Sequence, residues 1–174
     1  IMDKIDINGQ INLNSEDIEK LVKKNIFFSE EFINVLESFP CVLINFELPK
    51  NYDIFPQMKE NQSKFPSNIV FSLIIKKNVD KLNDWIFSKF QVLTKVTINS
   101  PSSLSSIGNN AFSECSSLKK VTIETPSSLF SIGDNAFSKC SSLTEITIPS
   151  SVKSIGGFSF SDCTSLKKVT IESH

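Results

Sequence analysis

The sequence predicts a β-rich repeat solenoid of short strands and short helical or 3-10 turns, with a small α-helical cap at its N-terminal end. Three observations predict it. The segment L-x-x-[VI]-T-I recurs as Leu93–Ile98, Leu118–Ile123, Leu143–Ile148 and Leu166–Ile171. Each complete copy then runs through a proline, an Ile-Gly pair, a phenylalanine and a cysteine in the same order. The cysteines Cys115, Cys140 and Cys163 keep the period, at spacings of 25 and 23 residues. One such unit cannot bury its own apolar face, whereas stacked units can, and a fixed period in this range is the mark of a solenoid.

Each element follows from its residues. In L-x-x-[VI]-T-I the β-branched residues favour a strand. Alternation sends Val or Ile and the final Ile inward and Thr outward. Pro101, Pro126 and Pro149 turn the chain. A second short strand ends at Ile107-Gly108, Ile132-Gly133 and Ile155-Gly156, where glycine suits a positive φ at a corner. Asn109 and Asp134 are placed to cap a single helical or 3-10 turn that points Phe112 and Phe137 into the core. The copies at 91–115 and 116–140 carry two extra residues before proline, expected to bulge at the corner, and a partial copy fills 164–174.

The copies extend upstream in degenerate form over 41–90. Residues 68–90 align without gaps under 141–163, placing Val70, Leu73, Ile75, Val79, Leu82, Trp85, Phe87 and Phe90 in core columns, with Trp85 under Phe158. Residues 41–58 fit more loosely, through Leu43, Phe46, Leu48 and Pro49. Residues 1–40 have another period. Ser15 precedes Ile18, Leu21 and Val22, and Ser29 precedes Phe32, Ile33 and Leu36, which predicts two N-capped amphipathic helices. They read as a cap over the exposed end of the solenoid, or as a separate interaction segment. The chain begins Ile1-Met2 and stops within a copy, as expected of a piece of a longer protein.

Composition excludes several functions. A chain with 40% apolar residues and a net charge of −1 has enough apolar surface for a core and no global bias toward polyanions. No run of 18 apolar residues is present, so no transmembrane helix is expected. All 18 basic residues are lysine; without arginine's bidentate fork, sequence-specific reading of nucleic acid is not expected. The four cysteines form no C-x2-C pair and the one histidine is the terminal His174, so neither a metal site nor a Ser-His or Cys-His catalytic pair is expected. No cofactor motif is present. The repeating cysteines read as buried, free thiols.

The stretch "LTEITIPSSVKSIGGFSFSDCTSLKKVTI" resembles the leucine-rich repeat of the BspA type, also called the Treponema pallidum type. The pattern L-x-x-[IV]-x-[IL]-P-x-S-V-x-x-I-G-x-x-A-F-x-x-C is followed over 91–174 and more loosely over 41–90; Gly157-Phe158-Ser159 departs from its x-x-Ala. The resemblance implies a curved leucine-rich solenoid. It also implies kinship with surface proteins of oral bacteria and the expanded families of Trichomonas and Entamoeba, linked to adhesion to host matrix proteins and cells.

The best candidate binding face is the row of outward strand residues: Lys95, Thr97, Lys119, Lys120, Thr122, Glu145, Thr147, Lys167, Lys168 and Thr170. Five lysines against one glutamate make it locally basic, expected on the concave side and suited to acidic partners. The competing reading is a solvated sheet whose lysines block sticky strands. Two functions follow. One is a non-catalytic cell-surface adhesion module that binds an extracellular-matrix or host surface protein. The other is an intracellular scaffold that holds one protein partner on the concave face. A signal peptide on the complete protein would separate them. Phe130, where the neighbouring copies have Ser105 and Lys153, is expected to be exposed, and Asn61-Gln62-Ser63 is a glycosylation triplet.

Overall fold

A computed structural model describes residues 11–24, 26–27, 29–39, 41–48 and 55–173. Its spine is a parallel sheet of seven strands: β1 (Ile11–Asn14), β2 (Val42–Glu47), β3 (Ile69–Ile75), β5 (Leu93–Ile98), β7 (Lys120–Ile123), β9 (Glu145–Ile148) and β11 (Lys168–Ile171), hydrogen-bonded in that order. A second ladder of two-residue strands stacks β4 (Lys81–Leu82), β6 (Ser106–Ile107), β8 (Ser131–Ile132) and β10 (Ser154–Ile155). All pairs are parallel, as a solenoid requires, because each coil re-enters the sheet one strand along.

A third ladder closes the coil although no regular strand forms there. The N–H groups of Trp85, Phe87 and Lys89 donate to the carbonyls of Asn109, Ala111 and Ser113 in the next coil. Asn110, Phe112 and Glu114 then donate to Asp134, Ala136 and Ser138, and the pattern repeats once more to Gly157, Ser159 and Ser161. Buried backbone must find partners, and these turns find them between coils.

The core is a set of columns. Leu93, Leu118 and Leu143 are buried in one, Val96, Val121 and Ile146 in the next, and Ile98, Ile123 and Ile148 in a third. Phe87, Phe112, Phe137 and Phe160 stack with centroids 5.1, 5.2 and 5.5 Å apart and nearly parallel rings. Beyond Phe87 the column gives way to Phe71, Phe90, Phe65, Phe27 and Phe32, packed edge-on or tilted, and these join the repeats to the helical end.

The N-terminal segment is only partly helical. Helix α1 (Ser15–Lys23) and helix α2 (Glu30–Glu37) form as expected, burying Ile18, Val22, Phe32 and Leu36, but β1 adds a strand that pairs with β2 from Ile11↔Val42 to Asn14↔Asn45. The cap of α1 is Asn14 and not Ser15. Asn14 accepts from the Asp17 N–H, and Asp17 in turn accepts from the Asn14 N–H, a reciprocal box that Ser15 one residue inside the helix cannot make. Ser29 caps α2 as expected, accepting from the Phe32 N–H.

Several sequence expectations change with the structure. Trp85 and Phe158 are not core residues; they are 56% and 77% exposed. Their column has left-handed backbone in every coil, which turns the side chain away from the interior. Val70 is half-buried, and Phe71 takes the place opposite Leu93, because the pairing slips between Phe71 and Ser72. In β2 the buried set is Val42, Ile44 and Phe46, so Leu43 lies off the core; Pro49 is outside the described residues. The residues added before proline, Asn99-Ser100 and Glu124-Thr125, bridge the coils at the corner: the Ser100 N–H donates to Glu124 Oε2 and its hydroxyl to the Pro126 carbonyl.

The glycine column acts differently from expectation. Gly108 and Gly133 do not have the positive φ, which falls two residues later on Asn110 and Asn135. They are needed because adjacent coils nearly touch there. A Cβ at Gly133 would sit 2.6 Å from Asn109 Oδ1 and 2.7 Å from the Asn109 nitrogen. The same closeness builds an inter-coil ladder in place of local caps. Asp84 Oδ1 accepts from the Asn109 N–H, Asn109 Oδ1 from the Asp134 N–H, and Asp134 Oδ1 from the Gly157 N–H. Ser159, standing where Ala111 and Ala136 stand in earlier coils, is buried without penalty because the Gly156 and Gly133 carbonyls lie 2.6 and 2.9 Å from its hydroxyl.

Candidate functional site

The outer face of the seven-stranded sheet carries two side-chain columns. Register places Asn45, Ser72, Lys95, Lys120, Glu145 and Lys168 in one line across the strands. The second line holds Glu47, Ile74, Thr97 and Thr122, and continues as Thr147 and Thr170. Strand alternation puts both lines on the side opposite the core, and the lysines are exposed.

Two charge arrangements result. Lys95 and Lys120 are direct cross-strand neighbours, a like-charge pair that disfavours itself and welcomes an anion between the two ammonium groups. Glu145 stands between Lys120 and Lys168, which makes the C-terminal part of the line mixed in sign. A shallow hollow of about 340 Å³ opens there, lined by Lys120, Thr122, Glu145, Thr147, Lys168, Thr170 and Glu172. At the other end of the sheet Lys76 Nζ lies 2.7 Å from Glu47 Oε1, so that end offers less unbalanced charge.

The ten candidate residues are therefore not one patch. Lys95, Thr97, Lys120, Thr122, Glu145, Thr147, Lys168 and Thr170 share the sheet face, but Lys119 and Lys167 precede their strands, where the backbone has not begun to alternate. Lys119 lines a separate hollow of about 540 Å³ with Phe65, Asn68, Val70, Val92, Thr94 and Ser117. Sequence reading missed Glu172, which follows the final Ile of its copy; extending the period by one position, through Asn99 and Glu124, was the available signal.

The thiols lie away from this face. Cys115, Cys140 and Cys163 are buried and unpaired, and each Sγ donates backward to a carbonyl of the preceding coil: Phe87 at 3.1 Å, Phe112 at 3.2 Å and Phe137 at 3.1 Å. Burial pushes the Cys115 thiol up to about 12 and raises Cys140 and Cys163 as well. The thiolate is the reactive form, so these three should resist alkylation. In the native chain Cys41, half-buried, is expected to react with iodoacetamide first. Raising the pH to 9 should leave Cys115 unlabelled until denaturant is added; mass mapping of the adducts checks both points. Among the described residues no cluster of three or more His, Cys, Asp or Glu is placed to hold a metal, and no helix is long and apolar enough to cross a membrane.

Parallel ladders, a phenylalanine spine and a glycine column at a fixed period define a leucine-rich-repeat solenoid. The BspA type leucine-rich repeat region matches residues 60–174, in 6 copies, and the chain belongs to that family. None of the curated proteins matches it. Among solved structures, the pneumococcal vaccine antigen PcpA is similar at 30% identity over 77% of this chain and 31% of its own, with a TM-score of 0.55. A leucine-rich repeat protein of Bacteroides ovatus is 31% identical over 63% of this chain and 29% of its own, with a TM-score of 0.51. One from Bacteroides capillosus is 32% identical over 55% of this chain and 64% of its own, with a TM-score of 0.44. The chain thus spans less than two thirds of the length of each of these relatives.

Proposed function

We propose that this chain is a non-catalytic protein-recognition module that works at a cell surface, binding an acidic patch of an extracellular-matrix or host surface protein through its sheet face. The observation that carries the reading is the line Lys95–Lys120–Glu145–Lys168 over its threonine neighbours: a rigid, exposed, locally basic surface on a repeat scaffold. Rigidity matters because a surface fixed before contact loses little conformational freedom on binding. The pneumococcal relative is a vaccine antigen, which supports a surface setting. Residues 1–40 act in this reading as the cover of the first repeats, with residues 41–90 as degenerate coils between cover and regular repeats.

The test has two arms. Antibody against a tagged full-length protein should label intact cells; label that enters only after permeabilisation would turn the reading toward an intracellular scaffold. On surfaces coated with matrix proteins, the purified chain should bind with an affinity that falls as salt rises, because exposed charges are screened beyond about 10 Å at 0.1 M. Reversing Lys95, Lys120 and Lys168 to Glu should weaken that binding by about tenfold or more, at unchanged circular dichroism. Binding indifferent to salt and to the reversal would remove the sheet face from the mechanism.

A further inference from the structure

Two residues of every regular coil have left-handed backbone. The first column is Trp85, Asn110, Asn135 and Phe158, with φ of 62°, 55°, 53° and 58°; the second is Lys89, Glu114, Lys139 and Asp162, with φ of 62°, 62°, 59° and 57°. Asparagine enters this region readily, and bulky side chains do so rarely. In the first column asparagine holds the two inner coils and an aromatic ring holds each flanking coil. Neither ring gains by burial, since Trp85 is 56% and Phe158 is 77% exposed. Residues kept in sparsely populated backbone regions cluster where ligands are bound.

The surroundings narrow the ligand. The second column alternates in sign, Lys89, Glu114, Lys139, Asp162, and the exposed Asp84 and Asp134 beside the first column add two carboxylates, so this face does not favour an anion. Beside the rings lie exposed Asn83 and half-buried Asn110 and Asn135, each with an amide that both donates and accepts, whereas the Asn109 amide is engaged by the Asp134 N–H and Asp84. None of the column's residues lines the two hollows beside the main sheet. Apolar plates separated by amides and carboxylates, on a rigid ladder, suit a molecule with apolar ring faces and a hydroxyl-rich rim without anionic groups.

We propose that this lateral face binds a neutral glycan chain lying along the solenoid axis. Trp85 and Phe158 stack against pyranose rings, and the Asn110 and Asn135 amides bond the hydroxyls between them. At roughly 4.8 Å per coil the two aromatic positions, three coils apart, are about 14 Å from one another, the reach of an oligosaccharide and not of a single sugar.

Trp85 is the only tryptophan, so its emission reports the site directly. The chain would be titrated with oligosaccharides of β-linked glucose, β-linked N-acetylglucosamine and mannose. A saturable change in emission with at least one of them is expected, and Phe158→Ala should weaken that binding about tenfold. Trp85→Asn, followed by calorimetry, should abolish binding while the thermal midpoint holds or rises, because asparagine suits the backbone there. Reversal of Lys95, Lys120 and Lys168 on the sheet face should leave glycan affinity unchanged, which separates this site from the protein-binding face. The proposal is overturned if no oligosaccharide perturbs Trp85, if Trp85→Asn and Phe158→Ala bind as the parent does, or if a sulfated glycan is strongly preferred over its neutral counterpart.

Discussion

Gly133→Ala is expected to destabilise the chain by about 3 kcal/mol, and Gly157→Ala, one coil further on and one position past the counterpart of Gly133, by almost nothing. The added methyl at position 133 meets the Asn109 nitrogen at 2.7 Å and the Gly108 carbonyl carbon at 2.8 Å, and neither can step aside, because backbone lies on both sides. Relief requires the two coils to move apart, and that stretches the Gly133 N–H bond to the Ile107 carbonyl and the Asn109–Asp134 side-chain bond together. At position 157 the nearest neighbour is Asp134 Oδ1 at 3.8 Å, an ordinary contact. Urea unfolding of the pair is the measurement. Equal stabilities would refute the claim that glycine is there for close approach.

Phe137→Ala is expected to cost about 4 kcal/mol, in the range for emptying a buried aromatic site. Phe137 is fully buried and stacks on Phe112 at 5.2 Å and Phe160 at 5.5 Å, so its loss removes two ring contacts and leaves a void that the rigid ladders on either side cannot close. Phe160→Ala should cost markedly less, since Phe160 is only partly buried and has one stacking partner among the described rings. In a repeat array each coil is held by its neighbours alone. The Phe137 variant should therefore also unfold less cooperatively, with its last coils lost first and a smaller denaturant slope for the main transition. A single sharp transition with the parent slope would show that the array unfolds as one unit.

What the sequence made legible was whatever repeats. The columns of Leu93, Val96 and Ile98, the stacked Phe112 and Phe137, and the buried Cys115 and Cys140 follow from period and polarity, because identical residues at a fixed spacing must meet when coils stack. Backbone conformation was less legible. Glycine suggested a positive φ, yet Gly108 answers a steric demand from the next coil, and the left-handed φ belongs to Asn110. Trp85 and Phe158 misled for the same reason, since an apolar residue aligned with an apolar residue reads as core until the backbone under them is known. Asn14 was overlooked as a helix cap because Ser15 beside it also fits the pattern, and only the geometry of Asp17 distinguishes them. The face residues were legible as far as alternation holds, which is why Lys120 and Lys168 fall where expected and Lys119 and Lys167 do not.

The three backbone ladders all run along the solenoid axis, from one coil to the next. A pull applied between the two ends therefore loads the coil-to-coil bonds in series and peels the terminal coil while its neighbours stay folded. A freed coil of 25 residues can pay out a length of roughly 80–90 Å before the next one is strained. Such a chain is an extensible tether: under tension it lengthens in steps and dissipates work at each one, while the coils that remain still present their side chains in register.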